Sequence, residues 1–66
     1  MNIDRIRSEY KKAVHKKNEL SEALRQLEEK QPDDVYNIWI TRDQIAYWEG
    51  KSEGLKIAMD EIDIRE

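Results

Sequence analysis

A chain of 66 residues with 41% charged side chains, two Gly, one Pro, one His and no Cys makes one small domain, near the size at which a single core needs help to be stable. The absence of Cys excludes disulfides and thiolate sites, and one His leaves too few ligands for a tetrahedral structural zinc. A formal charge of −3 and a pI near 5.2 run against the basic footprint of nucleic-acid-binding domains.

No apolar run approaches the roughly 20 residues needed to cross a bilayer. The opening Met1-Asn2-Ile3-Asp4-Arg5 lacks the basic-then-apolar order of a signal peptide. The expectation is a cytoplasmic chain with no membrane partner. Few Gly and Pro among many Leu, Ala, Glu, Lys and Arg favour long helices, so the predicted class is all-α. Residues 1–31 carry eight Lys or Arg against six Asp or Glu, and residues 32–66 carry four against nine. The two halves therefore differ in sign, +2 against −5, which favours their lying together.

The first helix is predicted over residues 2–30, with Asn2 as its cap and Asp4 in the first turn, where the helix dipole favours negative charge. Ile3, Ile6, Tyr10, Ala13, Lys17, Leu20, Leu24 and Leu27 recur at alternating spacings of three and four, the seam a partner helix covers. At about 1.5 Å per residue this helix is roughly 40 Å long, so the domain should be elongated.

Gln31-Pro32-Asp33 reads as a tight turn. Pro32 disfavours helix at Gln31 and can begin the next helix, for which Asp33 or Asp34 offers a cap. A short connection makes consecutive helices antiparallel. The second helix, predicted over 33–65, has its own seam of Ile38, Thr41, Ile45, Trp48, Ser52, Leu55, Met59 and Ile62. Leu27 then faces Ile38, Leu20 faces Ile45, Ala13 faces Ser52 and Ile3 faces Ile62, with every pair of numbers totalling 65. Lys17, the one charge in the first seam, falls opposite Trp48, where its methylenes can cover the indole. Glu28 near Arg42 and Arg7 near Asp63 are expected to add flanking attraction.

A second stripe runs along the far side of this helix through Tyr36, Ile40, Tyr47, Gly50, Gly54, Ile57 and Ile64, interrupted by Asp43 and Glu61. A helix apolar on two sides wants two neighbours. The expected architecture is an antiparallel two-helix coiled-coil hairpin, a single domain over 1–66, that pairs into a four-helix bundle. The stripe is nearly palindromic about Gly50, which suits a homodimer with Tyr47 lying over Gly54 of its mate. The rival is a three-helix bundle broken between Gly50 and Gly54, since two Gly inside a helix cost together about 2 kcal/mol relative to Ala.

Chemical signatures are missing. Gly50-Lys51-Ser52 lacks the upstream Gly and preceding strand of a nucleotide-binding loop. His15 lies among lysines as a solvated side chain, and the acidic C-terminus has no metal-loop spacing. No enzyme, cofactor or metal is expected. The sequence instead suggests a small protein-interaction module, a regulator or inhibitor, that self-associates and binds a protein partner. Its interface is predicted at Tyr36, Trp39, Ile40, Tyr47, Gly50, Gly54, Ile57 and Ile64, since aromatic residues favour such patches. A phage or mobile-element inhibitor docking on a larger host machine would fit the same description. The alternative of a different class is a nucleic-acid-binding accessory protein using Arg5, Lys11, Lys12, His15 and Lys16, which the overall acidity disfavours.

Overall fold

The computed structural model describes residues 3–65, and the side chains of residues 3–62. It consists of α1, Ile3–Lys30, and α2, Val35–Arg65, packed against each other as an antiparallel hairpin that extends over 51 × 13 × 13 Å. Neither helix is long and apolar enough to cross a membrane.

Helix α1 forms where strong helix formers run without Gly or Pro, and its ends suit the dipole, with Asp4 in the first turn and Lys30 in the last. The expected cap at Asn2 lies outside the described residues. The chain leaves α1 with the Gln31 amide still donating to Leu27 O at 2.8 Å, and reverses as the Asp34 amide donates to Gln31 O at 3.0 Å. Asp34 then caps α2. Its Oδ1 accepts from the Asn37 amide at 3.3 Å and its Oδ2 from Asn37 Nδ2 at 2.7 Å, the third-position amide being one of the donors a helix start leaves unpaired. This choice between the two candidate caps moves the start of α2 from the expected 33 to Val35, and leaves Pro32 inside the turn.

The three-helix alternative does not form. Helix α2 runs through both glycines, neither of which has a positive φ, and the Ser52 hydroxyl donates to Glu49 O at 2.8 Å within the helix instead of capping a new one. The seam explains the tolerance for Gly. Interrupting α2 at Gly50 would misplace the four seam residues that follow, at a greater cost than the helix propensity lost at two positions.

All sixteen predicted seam residues are buried or half-buried, and in α1 the described positions between them are exposed except Glu9 and Val14, which are half-buried beside the seam. Ala13 is wholly buried and Ser52 is 6% exposed, which agrees with their meeting in one thin layer of small side chains. Thr41, also buried, donates its hydroxyl to Asn37 O at 2.7 Å. The two polar residues of the α2 seam thus satisfy themselves on their own backbone, and no described buried side-chain polar atom lacks a partner. The Glu28–Arg42 pair forms across the helices at 3.6 Å, whereas Asp63 lies outside the described side chains.

Seam leucines and isoleucines are half-buried and none is enclosed, so each truncation costs less than one in a globular core. Leu20→Ala and Ile45→Ala should each remove about 1–3 kcal/mol, and the pair should be non-additive because the two share a layer. Additive losses in urea unfolding would refute that pairing. An added Cβ at Gly50 meets nothing within 4 Å, so Gly50→Ala should raise helicity and stabilise the hairpin by about 0.5–1 kcal/mol. A fall in the thermal midpoint would mean that the helix is not continuous there in solution.

Candidate interaction surface

The outer faces of the two helices differ. On α1 the positions furthest from the seam are Ser8, His15, Glu22 and Glu29, all polar and exposed. On α2 they include Tyr36 and Ile57, and the most exposed large apolar side chains of the described residues all belong to this helix: Val35 72%, Tyr36 69%, Trp39 63%, Tyr47 61% and Ile57 60%. The reason is visible in the spacing. The apolar residues of α1 add up on one side, while those of α2 point to two sides and cancel.

Of the predicted interface, Tyr36, Trp39, Tyr47, Gly50, Gly54 and Ile57 are exposed, Ile40 is half-buried at the stripe's edge, and Ile64 lies outside the described side chains. Tyr36, Trp39 and Ile40 share a patch beside the turn, because residues three and four apart are neighbours on a helix surface. The seven residues to Tyr47 are two turns, with Ala46 beside it and Asp43 between. Both glycines face open space, leaving a shallow region flanked by Tyr47 and Ile57.

Val35 escaped the sequence reading. It sits between seam and stripe and also lines a groove of about 330 Å³ with Glu28, Pro32, Ile38 and Arg42. Its signal was an apolar residue that neither series absorbed. The cation over Trp48 is Lys51, whose Nζ stands 5.0 Å from the indole centroid, one turn along the same helix, while Lys17 of the α1 seam is half-buried. Tyr47 makes a T-shaped contact with the same indole, 5.2 Å between centroids at 77°, so Trp48 links the seam to the outer stripe.

The basic patch on α1 is interleaved with acid. Lys12 Nζ lies 3.8 Å from Glu9 and His15 Nε2 lies 2.8 Å from Glu19, although Lys11 and Lys16 are exposed. Among the described residues no group of three His, Cys, Asp or Glu is placed to hold a metal ion. Comparison of the chain with protein-family models, with curated proteins and with solved structures finds no match. Its class is therefore defined by geometry alone, an antiparallel helical hairpin with one polar and one apolar outer face.

Near the end of α1, Arg25 joins Glu22 at 2.6 Å and Glu29 at 2.9 Å. The Arg25 hydrogen bond, and secondarily that from Gln26, holds the Glu22 carboxyl below its ordinary value. A lowered folded-state pKa contributes stability above the unfolded value and loses it as pH falls through the folded one. Arg25→Ala should therefore raise the Glu22 titration midpoint in side-chain NMR and shrink the acid-side loss of helicity. An unmoved midpoint would mean that the clamp is not populated in solution.

Proposed function

We propose that this hairpin is a non-catalytic interaction module that self-associates and engages protein through the outer face of α2, in the manner of a regulator or inhibitor. The observation that carries the reading is the asymmetry of the two outer faces. Five large apolar side chains, each at least 60% exposed, share one helix, and such a concentration of exposed apolar surface on one element marks a site of association. The rigid aromatic side chains Tyr36, Trp39 and Tyr47 offer large contact area at low entropic cost. Helix α1, with its polar outer face, serves as the support that holds α2 straight.

The test compares proteins retained from a host lysate by the parent, by Tyr36→Glu/Tyr47→Glu on the α2 face, and by Lys12→Glu/Lys16→Glu on the α1 face, all confirmed helical by circular dichroism. Binding, whether of other chains or of further copies, should be lost in the first variant and kept in the second. The opposite pattern, with a salt-sensitive mobility shift of DNA or RNA abolished by the α1 changes, would replace this reading with nucleic-acid binding.

A further inference from the structure

We infer that the partner on this face is a second copy of the chain, and that the two α2 helices pack antiparallel about a two-fold axis beside Ala46 and Tyr47. The inference rests on the reading of the outer face of α2 as an interface, and adds the occupant and the register.

The area comes first. The hairpin exposes 5246 Å², against about 4,500 Å² for a compact monomer of 8.0 kDa. The excess, roughly 700–800 Å², is close to one partner's share of a standard protein interface, about 800 Å². A second copy covering this face would bring the surface to what the chain's mass predicts.

The register follows from what must be covered and what must not meet. A two-fold axis here sets Tyr36 on Ile57 of the second copy and Ile57 on its Tyr36, so that exposed apolar side chains cover each other. Ile40 comes over Gly54, where no side chain obstructs it, and Tyr47 lies against Tyr47 beside the closely apposed Ala46 pair. Asp43, the one charge on the centre line between Tyr36 and Ile57, falls opposite Gly50 and needs no apolar neighbour. All this uses residues 35–58, the stretch holding every large exposed apolar side chain.

Charge selects the same register. At the flank, Arg42 meets Glu49 of the second copy, and symmetry makes the contact twice. Arg42 is exposed at the flank of α2 and lies 3.6 Å from Glu28 of α1, and its guanidinium has a further edge with which to take the Glu49 carboxylate of the second copy. Centring the axis on Gly50 instead sets Arg42 against Lys56, Glu49 against its own copy and Asp43 against Ile57. Like charges at the flank, and Asp43 facing an isoleucine in place of a glycine, count against that arrangement.

The protein has no Cys, so single cysteines report the register directly. Parent protein should sediment as a dimer at about 100 µM, a concentration that populates dimers of micromolar dissociation constant. Arg42→Glu and Glu49→Arg should each raise that constant about tenfold or more, and the double swap should return it to within about threefold of the parent. On mild oxidation Ala46→Cys should yield a covalent dimer. Gly50→Cys should not, because seven residues of offset hold its two copies roughly 10 Å apart along the axis, beyond disulfide reach. A monomeric parent overturns the proposal and leaves the face to another protein. Cross-linking through Gly50→Cys alone overturns the register while the outer face of α2 stands as the interface. Cross-linking through His15→Cys on α1, with neither α2 cysteine reacting, overturns both the proposal and the reading beneath it.

Discussion

Two helices share only one seam, and every other feature of this molecule adjusts to that limit. A side chain at the seam has a partner helix in front and solvent to both sides, so none of the large apolar residues is fully enclosed and Ala13, the smallest, is the one that reaches 0% exposure. Burial per residue is therefore shallow, and stability has to come from repetition along the axis. Eight successive layers provide it. The register that keeps those layers aligned is set at the turn, where Asp34 takes the cap and fixes the residue at which α2 begins. Moving the start of α2 by one position would rotate its whole seam by about 100° away from α1.

A shallow seam also explains what it tolerates. Thr41 and Ser52 occupy seam positions that a globular core would fill with Leu or Ile, and each hydroxyl bonds to the carbonyl a turn behind it. Such self-satisfied hydroxyls avoid the desolvation penalty of an unpaired donor. The small size of Ser52, with Ala13 opposite, lets the helices approach near the middle of the hairpin. Gly50 and Gly54 weaken α2 as a helix, but they face outward into open space, so the seam does not feel them.

The seam was legible in the sequence because its spacing of three and four persists through eight layers, and chance spacing does not hold that long. The same periodicity kept α2 continuous where Gly50, Ser52 and Gly54 locally suggested a turn. What escaped the reading was decided by single side chains. Asp33 and Asp34 are equally good caps by type, and only the Asn37 side chain, which adds a second hydrogen bond to the carboxylate, separates them. Lys17 and Lys51 both reach toward Trp48 by spacing, and the cation 5.0 Å over the ring is the one on the same helix. The outer stripe could be read from Tyr36 to Ile57. The stripe alone does not state a register with a second copy, and the register proposed above draws on Arg42 and Glu49, which lie beside it.

The shallow seam and the apolar outer face bear on each other through Trp48. Its indole is half-buried at the seam, and Tyr47, which faces outward, packs against it in a T-shaped pair with centroids 5.2 Å apart. Covering Tyr47 with a partner also excludes water from the flank of Trp48, so association deepens the burial that the hairpin achieves alone. Any partner that binds the folded hairpin and not the unfolded chain stabilises it by mass action. In a domain with one seam that contribution is comparable to the whole folding free energy. A partner occupying the exposed apolar face of a marginal hairpin would thus couple the persistence of the fold to its own presence. With a polar outer face on α1, a partner covering the apolar face would give α2, and not α1, a second neighbour.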